Sequence, residues 1–134
     1  MAKLRVLFVC VGNAFRSQMA EAFARALGSD LLEAESAGLA PAPALPAVIE
    51  EIMAGYGIDV SGQYPKGLEE VDPAGFDLIV NISGYPLPLD TAVPVREWEV
   101  PDPVGRDRAF HEEVARRIEE RVRQLVDELR RQGS

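Results

Sequence analysis

Four apolar residues in a row, Val6-Leu7-Phe8-Val9, run straight into Cys10, and a segment with helical spacing begins at Ser17. An unbroken apolar run that short reads as a strand buried on both faces, as in a parallel sheet. A strand that passes directly into a helix makes Cys10-Val11-Gly12-Asn13-Ala14-Phe15-Arg16-Ser17 a tight turn, and such a turn is a place for an anion. Successive backbone N–H groups can converge on one point there, and the first helical turn adds unpartnered donors and the positive end of the dipole. Arg16 adds a planar fork that can grip two oxygens. Gly12 and Asn13 are residue types that tolerate the left-handed angles needed to turn amides inward.

The same field favours the thiolate form of a cysteine, and Ser17 can donate a hydroxyl hydrogen bond to the sulfur. A lone Cys at a strand end is commonly just a small buried hydrophobe. Here Cys, Gly-Asn, Arg and Ser all fall at cradle spacing, which points to thiolate attack on a bound tetrahedral oxyanion such as phosphate.

The rest of the chain repeats the strand-to-helix alternation. The first helix is expected from Ser17 to Leu27, with Ala20, Phe23, Ala24 and Leu27 on one face and Gly28 as a stop. Leu32 to Ala37 reads as a strand, and the apolar, proline-rich 39–46 as a loop bordering the site. Ile49, Ile52, Met53 and Tyr56 share a second helical face, residues 58–64 are irregular, and Lys66 to Val71 is a short helix candidate. Leu78-Ile79-Val80-Asn81-Ile82 is a second continuous strand, broken by Ser83-Gly84-Tyr85-Pro86, and Val93 to Val100 is a last strand interrupted by Pro94. Phe110, Val114, Ile118, Val122, Leu125, Val126 and Leu129 form the stripe of the C-terminal helix, with Glu112/Arg116, Glu113/Arg117 and Glu119/Arg123 as pairs on its exposed side. The fold class implied is α/β, a doubly wound four-stranded parallel sheet with helices on both faces and the phosphate loop after strand 1. Ligands in such sheets bind at the carboxyl ends of strands, where Cys10 lies.

The 134 residues are expected to form one domain. The N-terminal apolar run is far too short for a membrane span and carries no cleavage-type region, so a cytoplasmic protein is expected. A net charge of −8 argues against nucleic acid or anionic membrane as a partner. Cys10 is the only cysteine, which excludes an intramolecular disulfide and a cysteine-based metal cluster. The reading requires no cofactor and assigns no metal.

C-x-x-x-x-x-R-S after the first strand resembles the phosphate loop of the low-molecular-weight protein tyrosine phosphatase superfamily, which includes arsenate reductases of the same fold. Arg16-Ser17-Gln18-Met19-Ala20-Glu21 and Ile58-Asp59-Val60-Ser61-Gly62-Gln63-Tyr64-Pro65-Lys66 are more similar to the arsenate-reductase branch, since the phosphatases usually place Pro after the Ser. The resemblance covers nearly the whole chain. Expelling an alkoxide or phenoxide also needs a proton donor. Asp102, in Val100-Pro101-Asp102-Pro103 between the last strand and the last helix, resembles the family's general acid. Asp72-Pro73 lacks that context.

Some positions depart from the family. Val104 and Gly105 follow Asp102-Pro103 where phosphotyrosine enzymes carry aromatic residues, and Phe15 stands where many phosphatases have a second cysteine. Thioredoxin-coupled arsenate reductases need two further cysteines after the third strand, where this chain has Ser83. Asn13, Glu21 and Ser36 resemble positions of a monovalent-cation site in some arsenate reductases, with Pro65 where an acidic partner is sought; no such site is assigned. His111, the only histidine, is expected to be exposed, and Tyr85 and Trp98 to pack or form a rim.

The leading expectation is a phosphomonoester hydrolase with a phosphocysteine intermediate. In it Cys10 is the nucleophile, Arg16 and the amides of Val11, Gly12, Asn13, Ala14, Phe15 and Arg16 hold the oxyanion, Ser17 supports the thiolate, and Asp102 is acid and then base. The alternative is an arsenate reductase fed by an external small thiol or redoxin. A non-catalytic anion-binding module is the third reading, disfavoured because binding alone needs no nucleophile.

Overall fold

Apolar runs and stripes mark most of the elements, and strands alternate with helices except between the last two strands, which a loop joins. A computed structural model describes residues 3–132. Its elements are β1 (Leu4–Cys10), α1 (Arg16–Gly28), β2 (Leu32–Gly38), α2 (Ala47–Gly55), β3 (Leu78–Asn81), β4 (Val95–Glu97) and α3 (Arg108–Gln132). All strands are parallel, in the order β2-β1-β3-β4. Chain order therefore reverses at β1, and the carboxyl end of a strand at such a switch is where open α/β sheets form ligand sites.

Alternation along β1 sends Val6 and Phe8 to one face and Leu7 and Val9 to the other. The first face carries all three α-helices, through Met19 and Phe23 of α1, Ile49 and Met53 of α2, and Val114, Ile118 and Val122 of α3. The second face is covered by Leu68, Phe76 and apolar residues of the connecting loops. Two 3₁₀ turns, Leu68–Glu70 and Pro73–Gly75, supply the helical structure there. The first of these is all that forms of the helix expected over Lys66 to Val71.

β4 is shorter than the expected 93–100 and exposed at every residue. It is an edge strand, and Pro94, lacking an N–H, offers only its carbonyl to Ile79 N–H (2.9 Å). Trp98, just beyond it, packs on Phe8 with ring centroids 5.7 Å apart, whereas Tyr85 stands exposed at the rim.

On α3 the charge pairs are Arg116 and Arg117 with Glu113, and Arg123 with Glu119; Glu112 lies 3.9 Å from Arg108 rather than pairing with Arg116. His111 corrects the expectation of exposure. It is 5% exposed, because with Val114, Ala115 and Ile118 it falls on the helix face turned to the core. Among the described residues, no helix is long and apolar enough to cross a membrane.

Candidate active site

A loop can aim its amides at a ligand only if its carbonyls are satisfied elsewhere. After β1 and β2 end, the chain past β2 keeps pace with the turn. Leu39 N–H donates to the Cys10 carbonyl (3.1 Å), Ala40 N–H to Val11 (2.8 Å) and Ala42 N–H to Gly12 (2.8 Å). Pro41 and Pro43 fall between and after these donors. The Asn13 carbonyl accepts from Gln18 Nε2 (3.0 Å) and that of Phe15 from Met19 N–H (3.0 Å). Carbonyls committed outward are the condition for loop N–H groups to serve a ligand. Close approach is needed for this strap to fit: a Cβ on Gly38 would lie 2.7 Å from the Val11 oxygen and 2.8 Å from Asn13 N.

The cavity measures about 220 Å³. Cys10, Val11, Gly12, Ala14, Phe15 and Arg16 form its floor and walls, and Ala42, Asp102 and Val104 its mouth. Asn13 and Ser17 are fully buried and stand behind that lining rather than in it. Asn13 takes the expected left-handed conformation, φ 49°; Gly12 does not need it. Ser17 Oγ lies 2.8 Å from Cys10 Sγ and accepts from Asn13 Nδ2 at 2.8 Å.

Arg16 is buried and locked from the far side of the sheet switch. Its Nη1 donates to the carbonyls of Ile82 (2.6 Å) and Val100 (3.2 Å), just past β3 and β4, and its Nη2 lies 3.3 Å from Asp102 Oδ2. Asp102 Oδ1 also accepts from Val104 N–H (3.1 Å), an Asx turn that holds a 38% exposed carboxylate at the mouth. The three residues selected from sequence, Cys10, Arg16 and Asp102, therefore meet around one cavity. The strap at 39–42 and the Ile82 and Val100 carbonyls were invisible in the sequence, since any residue but proline offers the same backbone groups.

A cradle of this design over nearly the whole length of the chain has a family counterpart. The family model for low molecular weight phosphotyrosine protein phosphatases matches residues 5–86 and 89–134. The chain belongs to this family.

Similar proteins within the phosphatase superfamily include a glutaredoxin arsenate reductase from Synechocystis sp., 32% identical over 129 residues that span 93% of this chain and 98% of that protein. The crystal structure of an arsenate reductase from Archaeoglobus fulgidus matches with TM-score 0.84 and 36% identity over 91% of this chain and 98% of that one. An arsenate reductase in the phosphate binding state matches with TM-score 0.87 and 30% identity over 94% and 98% of the two chains.

Against this family background, three places stand out. At the turn after β3, buried Asn81 donates to the Tyr85 carbonyl (2.8 Å) and to Glu97, and accepts from both Ser83 N–H (3.1 Å) and Ser83 Oγ (2.7 Å). That turn is closed by hydrogen bonds and holds no thiol. Phe15, where many family phosphatases carry a second cysteine, packs on His111 with ring centroids 5.0 Å apart, and His111 Nδ1 has no partner among the described residues. The positions similar to a monovalent-cation site are bonded within the protein. Glu21 accepts from Ser36 Oγ (2.6 Å) and pairs with Arg25 (2.9 Å), while Asn13 Oδ1 accepts from Lys66 N–H (2.9 Å) and Gln18 Nε2 (3.1 Å).

Proposed function

We propose that the protein is an arsenate reductase that takes its electrons from an external small thiol. The observation that carries this reading is the cavity: about 220 Å³, with Val104 and Ala42 at its mouth and the sole cysteine on its floor. A bare tetrahedral oxyanion suits that space, and beside Asp102 the mouth offers Val104 and Ala42 rather than an aromatic residue to receive an aryl group. Similarity to arsenate reductases over most of the chain supports the same choice. This reverses the order suggested by sequence alone, which put phosphomonoester hydrolysis first.

In the proposed reaction Cys10 Sγ attacks the arsenic of arsenate, and a hydroxyl leaves as water with a proton from Asp102. Arg16 and the loop amides hold the remaining oxygens throughout. A thiolate of the small thiol then attacks Cys10 Sγ. The sulfur–arsenic electron pair goes to arsenic, which departs as arsenite, and a Cys10 mixed disulfide remains. A second thiol takes the outer sulfur, giving the small-molecule disulfide and free Cys10. Two thiols supply the two electrons. The glutaredoxin in the name of the Synechocystis relative fits an external electron source, and a reducing cytoplasm is the compartment such thiols require.

Phosphomonoester hydrolysis is the second reading, favoured by the ion pair that sets Asp102 beside Arg16 at 3.3 Å. The test is arsenate-dependent oxidation of NADPH with a small thiol and its disulfide reductase, or with thioredoxin and its reductase, run beside phosphate release from an aryl phosphate. Turnover of arsenate only with the small thiol is expected. Phosphate release without arsenate reduction would move the second reading to first place. Robust turnover with thioredoxin alone would overturn the requirement for a small thiol.

A further inference from the structure

A row of side-chain amides runs from the surface to the sulfur on the side of Cys10 away from the cavity. Gln63 Nε2 donates to Gln18 Oε1 (2.6 Å), Gln18 Nε2 to Asn13 Oδ1 (3.1 Å), and Asn13 Nδ2 to Ser17 Oγ (2.8 Å), which lies 2.8 Å from Cys10 Sγ. Gln18, Asn13 and Ser17 are buried, so water cannot substitute for a missing link.

The direction of this row is fixed by backbone groups whose polarity cannot be reversed. Lys66 N–H can only donate, and it meets Asn13 Oδ1 at 2.9 Å. The carbonyls of Asn13 and Tyr64 can only accept, and both take Gln18 Nε2 at 3.0 Å, so one of its two hydrogens goes to Tyr64 and the other is shared between the Asn13 carbonyl and Oδ1. Asn13 must therefore present its NH₂ to Ser17. If Ser17 also accepted from a Cys10 thiol, its own proton would be buried without an acceptor among the described residues. The hydroxyl instead points at the sulfur, the direction that stabilises a thiolate.

We propose that Gln18 is a positioning residue for Cys10: acting through Asn13, and anchored by Gln63, it fixes the Ser17 hydroxyl as a donor to the sulfur. The inference rests on Cys10 being the nucleophile, as the reading above has it, and applies equally to arsenate and phosphate chemistry.

Alkylation of Cys10 by iodoacetamide, followed against pH, tests it without any oxyanion. Gln18→Met keeps length and removes both links, and should move the alkylation midpoint upward by about one pH unit. Ser17→Ala should move it at least as far. The double variant should move it no further than Ser17→Ala alone, because both changes act through one hydroxyl. Arg16 and Asp102, the charged groups lining the cavity, are intact in every variant. A Gln18→Met protein with a lowered melting temperature but an unmoved midpoint would reduce Gln18 to a packing residue and overturn the proposal, as would additive shifts. If circular dichroism shows that Gln18→Met does not fold, Gln63→Met at the half-buried outer end carries the test. A smaller upward shift is expected there, and no shift overturns. The reductase assay and this titration share no reagent, so either can fail alone.

Discussion

The two halves of the site are built by opposite means. The cradle side, from β1 into α1, is held by hydrogen bonds to main-chain groups: the strap at 39–42, the Lys66 amide on Asn13 and the carbonyls that grip Arg16. The acid side hangs from a three-residue exposed edge strand, and its carboxylate is 38% exposed on a loop between prolines. Groups that must be in place before an oxyanion arrives are preorganised in the interior. The group proposed to exchange protons with substrate and water stays near solvent. The contrast makes separable claims about binding, chemistry and stability.

The largest effect is expected from Cys10→Ser. Turnover should fall to background while isothermal titration still registers phosphate, because the amides bind and the sulfur reacts. Undiminished turnover would remove Cys10 from the chemistry. Asp102→Asn attacks the open half, and should lower turnover by about 10²- to 10⁴-fold with phosphate affinity retained or raised, since a carboxylate 3.3 Å from Arg16 repels an incoming anion. Weaker phosphate binding in that variant would show that the acid side also shapes the cradle.

Gly38→Ala attacks the closed half. An added methyl group would press on the Val11 carbonyl and Asn13 backbone, so a loss of roughly 1–3 kcal/mol in chemical denaturation is expected, together with weaker phosphate binding. Normal affinity at lowered stability would separate strap from cradle.

The smallest effect concerns the outer latch from β4 to α3. Hydrogen bonding from Arg96 holds the Glu128 carboxyl below its usual range. A carboxyl lowered in the folded state adds stability above its unfolded pKa and loses it as pH falls through the folded one. Glu128→Gln should therefore lower stability slightly at neutral pH, by less than about 1 kcal/mol for an exposed pair, which thermal melting would register as a small drop. Below the carboxylate range, variant and parent should converge.

How much of this was legible follows the same divide. β1, α1, β3 and α3 were readable because apolar runs and stripes report burial directly, and the meeting of Cys10, Arg16 and Ser17 because their side-chain types fall at cradle spacing. Asp102 was readable from its flanking prolines and its place before α3. What escaped was whatever depends on main-chain groups or on partners distant in sequence. Lys66 is paired through its amide rather than its charge, Ile82 and Val100 through carbonyls, and Gln18 looked like any polar helical residue until Asn13 and Tyr64 were brought beside it. His111 was misjudged from its place at the start of α3, although its spacing to Val114, Ala115 and Ile118 puts it on the buried face, where it meets Phe15.

The strap holds the cradle through peptide groups alone, with Pro41 between its donors at a position that donates nothing. Mutation can therefore change the side chain of Ala42, which reaches the cavity mouth, without removing a bond that orients the loop. Only proline at 39, 40 or 42 would remove such a bond. What the mouth admits can thus drift across generations, or be varied in a library, while the oxyanion grip is inherited unchanged.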